Sequence, residues 1–166
     1  MKRLIATIAI IALVGAVFAA PASAKGQKPL SGKMDLTLYE VPCELGFLTW
    51  AGTVVIDGTT YGWADFSTAF SVDGKFIYFE EDWTIFALNG DPVTPEIACD
   101  PSRVVLAGVN EGWGPPGLTG KADGTVEVAP EDGPFDDVAV GSRMFWRGKV
   151  TGPDEFKATL HIQPTR

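Results

Sequence analysis

From Lys33 onward, apolar and polar residues alternate with a period near two, the spacing of strands whose two faces meet different surroundings. The pattern predicts strands over Lys33–Glu40, Phe47–Asp57, Thr59–Thr68, Lys75–Leu88, Arg103–Val109, Gly124–Ala129, Ser142–Thr151 and Glu155–Gln163. These runs are rich in β-branched and aromatic residues, and Gly, Pro, Asn or Asp separate them. Asp57-Gly58 and Asp73-Gly74 read as tight hairpin turns, because glycine accepts the positive φ that such turns need. Gly152-Pro153-Asp154 joins the last two strands. No stretch of ten residues beyond the first segment carries a helical stripe.

The last hairpin sorts most cleanly. Phe156, Ala158, Leu160 and Ile162 share one face, matched by Met144, Trp146, Gly148 and Val150 on the partner strand. Lys157, Thr159, His161 and Gln163 share the other with Arg147 and Lys149, so one face is buried and one is wet. Eight such strands in a single domain predict an all-β fold: one antiparallel β-barrel, or a two-sheet β-sandwich.

Residues 1–24 break the alternation. Lys2 and Arg3 precede an apolar run from Leu4 to Ala20, Pro21 interrupts it, and Ala22-Ser23-Ala24 offers the small residues of a cleavage site. This reads as a secretory signal peptide cleaved after Ala24, delivering the chain outside the cytoplasm, to a periplasm, cell surface or medium. The rival, a retained membrane anchor, is short for ~30 Å of hydrocarbon. Lys25–Gly32 reads as a flexible leader and 33–166 as the barrel domain. Without Lys2 and Arg3 the net charge moves from -8 to -10. That acidity argues against nucleic-acid binding, which needs clustered cations, and against anionic membranes.

Two cysteines in an exported domain predict a Cys43–Cys99 disulfide, worth roughly 4 kcal/mol by loop-closure entropy. It sits awkwardly with a simple meander, whose successive connections alternate between the two ends. Either the 89–102 loop folds back along the barrel, or the strand order is not a meander.

Much chemistry is absent. His161 is the only histidine, so a two-histidine metal centre is impossible, and no GxSxG elbow presents a serine to it. Its alternation with Lys157 and Thr159 places it on the surface. Gly112-Trp113-Gly114-Pro115-Pro116-Gly117 spells GxGxxG, but two prolines without N–H groups and no following helix make it a rigid turn, not a phosphate cradle. No cofactor is expected.

Carboxylates among aromatic residues are the remaining lead. Pairing through Asp57-Gly58 puts Trp50, Val54, Ile56, Tyr61, Trp63 and Asp65 on one face, with Trp63 near Gly52. On the next strand Glu81 shares a face with Ile77, Phe79, Trp83 and Ile85, while Glu80 and Asp82 point the other way. A two-residue turn at Asp73-Gly74 would set Asp82 opposite Asp65 and Glu80 opposite Ser67. The two hairpins then disagree about which face is interior, which predicts a bulge near Glu80–Asp82 or Ser67–Phe70.

Asp65 and Glu81 are accordingly the candidate acid–base groups, and Asp65, Glu80 and Asp82 a candidate cation cluster. The plainer alternative is a solvated acidic face, or ion pairs with Arg103, Arg143 or Arg147. Trp50, Tyr61, Trp63, Trp83 and Trp113 are candidate ligand contacts. Trp113 stands in a long 110–123 loop, as an exposed contact or as a lid over the barrel mouth.

The aromatic-faced strands behind a signal peptide are similar in architecture to calycin-like and allene-oxide-cyclase-like barrels. The lipocalin Gly-x-Trp opening is missing, so the likeness implies a fold and no substrate. Three functions fit: a non-enzymatic binding module for a small apolar or amphipathic ligand or a surface partner, a cofactor-free isomerase or cyclase, and a structural envelope protein. An interior cavity separates the first two from the third.

Overall fold

A computed structural model describes residues 29–115 and 119–163; the signal-peptide reading lies outside these residues. Eight strands follow in chain order: β1 (Leu30–Cys43), β2 (Gly46–Ile56), β3 (Thr59–Asp73), β4 (Phe76–Phe86), β5 (Val104–Gly114), β6 (Thr119–Val128), β7 (Arg143–Gly152) and β8 (Glu155–Gln163). Each is antiparallel to its chain neighbours, and β8 returns to β1, so the sheet closes into a meander barrel rather than a sandwich. Closure removes the exposed edges that an open sheet would offer to other chains.

The tight turns form where the residues demand them. Asp57 and Gly58 both take positive φ, 48° and 83°, and Ile56 pairs with Thr59 across them. Trp50, Gly52 and Val54 then lie opposite Asp65, Trp63 and Tyr61, as the alternation requires. In the last hairpin Met144, Trp146, Gly148 and Val150 oppose Ile162, Leu160, Ala158 and Phe156, all facing inward.

The β3–β4 register corrects one expectation. The turn residues are Gly74 and Lys75, with Asp73 paired to Phe76. Asp65 consequently faces Trp83 rather than Asp82, and Glu80 faces Ala69 rather than Ser67. Between Ser67↔Glu81 and Ala69↔Glu80 the register slips at Thr68, a bulge within the stretch that parity required. Asp65, Ser67 and Phe70 thereby share one interior face with Phe79 and Glu81.

Other boundaries also move. β1 begins at Leu30, pairing with Ile162, so Leu30–Gly32 is strand rather than leader. Residues 110–114 and 119–123 belong to β5 and β6, not to a long loop. The connection that follows, β6–β7 over residues 129–142, is the long one, and it lies at the opposite end. It sends Phe135 and Val138 into the barrel core and plugs the end where β2–β3 and β4–β5 also turn, here the lower end.

The disulfide forms, with Cys43 and Cys99 Cα atoms 5.9 Å apart, and the meander survives because the β4–β5 connection folds back. It leaves the lower end, carries the short helix α1 (Pro95–Ala98), and covers the outer face of β2 and β3. Thr94 caps that helix, its hydroxyl accepting from the Ile97 N–H. Ala98 is buried with the outward-facing Leu48, Ala51, Ala64, Phe66 and Phe86, flanked by Leu88, Val93 and Ile97. The molecule thus has two cores, one inside the barrel and one between barrel wall and returning loop. Arg103 fastens the base of that loop, 2.8 Å from Asp91 and donating to the Leu88 carbonyl.

Candidate functional site

The barrel interior is stacked in levels. At the lower end Tyr61 packs on Phe135, ring centroids 5.0 Å apart. Above them Trp63 and Trp83 stack, 5.3 Å apart and 3° from parallel, both fully buried. Their opposite numbers on the neighbouring strands are Gly52 and Gly108. A Cβ at Gly108 would lie 2.7 Å from Trp83 Cζ2, so glycine makes room for the ring. Asp65 and Glu81 follow one inward step nearer the upper end, on the same strands as the two indoles.

Above the carboxyls is a cavity of about 280 Å³. Its walls are largely apolar, with a cluster of aromatic rings. Phe79 stacks on Trp146 at 5.8 Å, Phe156 meets Trp146 edge-on at 5.4 Å, and Trp50 tilts against Phe156 at 5.7 Å. Leu36, Leu38, Ile77 and Val150 complete the apolar lining. Glu40 and Phe70, both exposed, stand at the rim, so the cavity opens to solvent at the upper end.

Asp65 is 2% exposed and Glu81 7%, and Asp65 Oδ1 and Glu81 Oε2 have no hydrogen-bond partner. Burial pushes the Asp65 carboxyl up to about 7, against a smaller opposing pull from the Trp63 side chain. Burial also drives Glu81 well above the usual carboxylate range, and the neighbouring Asp65 charge pushes it further. The Asn110 side chain, across from Glu81 on β5, pulls the other way, although both its amide atoms lack a hydrogen-bond partner. Two neighbouring buried acids resist holding two negative charges.

The sequence-derived candidates separate cleanly by position. Asp65, Glu81 and Trp50 line the cavity. Trp63 and Trp83 lie beneath its floor and Tyr61 lies at the plugged end. Trp113 points outward from β5, 42% exposed, edge-on to Phe76 at 5.6 Å and with Lys121 Nζ 4.0 Å from its ring centroid. It is an outer-wall residue, not a lid. Glu80 and Asp82 are exposed on the outside of β4, so they do not converge with Asp65. Among the described residues no three such groups are arranged to hold a metal ion.

Among the described residues no arginine pairs with these carboxylates. Arg103 serves Asp91 and Asp100, while Arg143 pairs with Asp123. His161 lies on the outer face, stacked on Phe145 and 2.8 Å from Ser31 Oγ.

Sequence reasoning missed Asn110 because it ended the strand at Val109. The alternation Leu106, Gly108, Asn110, Gly112, Gly114 carries the inward face onward, and following it would have put an amide beside Glu81. Alternation groups Trp146 with Phe156 and Phe79 with Glu81, but does not show that these three rings meet around one cavity.

Comparison with protein-family models, curated proteins and solved structures finds no match to this chain. Among the described residues no helix is long and apolar enough to cross a membrane.

Proposed function

We propose that this chain is an exported, non-enzymatic binding protein that holds a small amphipathic molecule in the upper half of its barrel. One observation carries the reading: a solvent-connected cavity with largely apolar walls ends on two buried carboxyls, each with one oxygen that has no partner. Unpaired buried polar atoms cost free energy, and a ligand group that meets them recovers it. At about 280 Å³ the space lies near the small end of ligand pockets, which run roughly 300–1,000 Å³. Export is supported by the charged, apolar and small-residue succession of 1–24 and by the Cys43–Cys99 disulfide.

The test uses the processed chain and the neutral fluorophore N-phenyl-1-naphthylamine, whose emission rises in apolar surroundings. Saturable enhancement, abolished when Gly120→Phe fills the space beside Trp146, supports the reading. Absence of enhancement, together with nothing recovered by native mass spectrometry after soaking in a lipid and metabolite extract, overturns it.

A second reading is favoured by Asp65, whose carboxyl near 7 suits proton transfer at neutral pH in a cofactor-free isomerase or cyclase. Ligand recovered unchanged after long incubation supports the carrier; conversion that stops in Asp65→Asn supports the enzyme.

A further inference from the structure

We infer that the cavity is a receptor for an organic cation, an ammonium group seated at Asp65 and Glu81 with its hydrocarbon part against Trp50, Phe79, Trp146 and Phe156. This rests on the binding reading above and names the chemistry of its ligand.

The charge inventory of the cavity is one-sided. Its titratable groups are Glu40 from β1, Asp65 from β3 and Glu81 from β4. The described lining from β2, β5, β6, β7 and β8 consists of Thr49, Trp50, Gly114, Pro115, Thr119, Gly120, Trp146, Val150 and Phe156, none of which titrates. Among the described residues no Lys, Arg or His lines the cavity. An anionic ligand would meet only like charge, with no donor of opposite charge to offset it.

The acids also need what an ammonium supplies. Asp65 Oδ1 and Glu81 Oε2 are unpartnered acceptors in a compartment closed below by the stacked indoles. An ammonium brings up to three N–H donors and the compensating charge together. The wall adds a second attraction, because the faces of Trp and Phe rings are electron-rich and draw cations. A neutral alcohol gains the apolar contact and one hydrogen bond but leaves the paired acids uncompensated.

The experiment follows Trp fluorescence and calorimetry of the processed chain at pH 8 with three ligands of similar shape: 2-phenylethylammonium, 2-phenylethanol and 3-phenylpropanoate. The cation is expected to bind at least about tenfold more tightly than the alcohol, the worth of a charge-assisted hydrogen bond, and the anion least. In Asp65→Asn/Glu81→Gln, which removes charge and keeps shape, that preference disappears while alcohol binding persists. Circular dichroism and N-phenyl-1-naphthylamine binding verify that the variant is folded with its cavity intact; should it not fold, each single substitution must halve the preference or more. Equal or tighter binding of the alcohol, or a preference that survives the substitutions, overturns the inference. If the fluorophore binds but the ammonium does not displace it, the cation assignment fails and the cavity reading stands. If neither binds, both fail.

Discussion

Trp63 and Trp83 lie face to face across β3 and β4, 5.3 Å apart, and the carboxyls of Asp65 and Glu81 lie one inward step nearer the upper end on the same strands. The indoles remove water from beneath the acids and so set their protonation. A barrel that filled this level with small side chains would leave room for solvent and ordinary carboxyl behaviour.

The raised Asp65 carboxyl fixes the sign of a pH effect. The native state holds that proton more tightly than the unfolded chain, so the stabilisation is complete below about 4 and is lost as pH rises through about 7. Glu81 shifts in the same direction. Thermal melts should therefore show the midpoint falling between pH 4 and 7, by a free energy on the order of 4 kcal/mol from Asp65. Asp65→Asn should flatten this slope and melt above the parent at pH 8.

Cutting the Cys43–Cys99 link should loosen one region selectively. Cys43→Ser/Cys99→Ser is expected to cost roughly 4 kcal/mol. Hydrogen exchange should accelerate first over residues 87–103, which the bond ties to the outer face of the barrel, and least over β7 and β8.

The lower plug rests on Phe135, 3% exposed against Tyr61. Phe135→Ala should cost about 3 kcal/mol, read from the urea midpoint at unchanged slope. N-phenyl-1-naphthylamine binding at the upper end should persist, since Trp63 and Trp83 stand between the two ends.

Two glycines should behave differently. A Cβ at Gly108 would lie 1.9 Å from the Thr125 carbonyl oxygen, so Gly108→Ala must shift backbone as well as Trp83 and should cost well over about 2 kcal/mol. At Gly58 nothing lies within 4 Å, and only the positive φ of 83° resists a side chain, so Gly58→Ala should cost roughly 1 kcal/mol. Paired chemical-denaturation curves decide the ranking.

Thr68 is the residue without a partner in the β3–β4 ladder, and its removal leaves Ser67 inward, Ala69 outward and Phe70 inward. Deleting Thr68 should be tolerated, with a melting temperature near the parent's. Deleting Phe66 should be far more costly, because closing the bulge then turns Ser67 outward into the place of Phe66 and takes that ring out of the outer core.

The barrel was legible because its strands are half buried, and alternation records which half. The turn at Asp57-Gly58 ties β2 to β3 and so puts Asp65 on one face with Trp50 and Trp63. At the β3–β4 turn the choice between Asp73-Gly74 and Gly74-Lys75 shifts pairing by two residues without changing parity, so the sequence showed that a bulge was needed and not which residues it would bring face to face. Gly112 and Gly114 looked like loop because glycine is rare in strands. They are strand residues because neighbouring groups need the space: a Cβ at Gly112 would fall 2.2 Å from Phe79 Cζ. The plug was invisible for another reason. Phe135 and Val138 sit among acidic and proline residues with no periodicity, and only the closed barrel gives them an opening to fill.

The returning loop ties one end of the barrel to the other through the only two thiols in the chain. With two sulfur atoms there is one possible pairing, so oxidation cannot capture a wrong partner within the molecule. Maturation of this protein therefore calls for an electron acceptor and for no shuffling catalyst, and its yield should depend on how fast the thiols are oxidised rather than on how often mistakes are corrected.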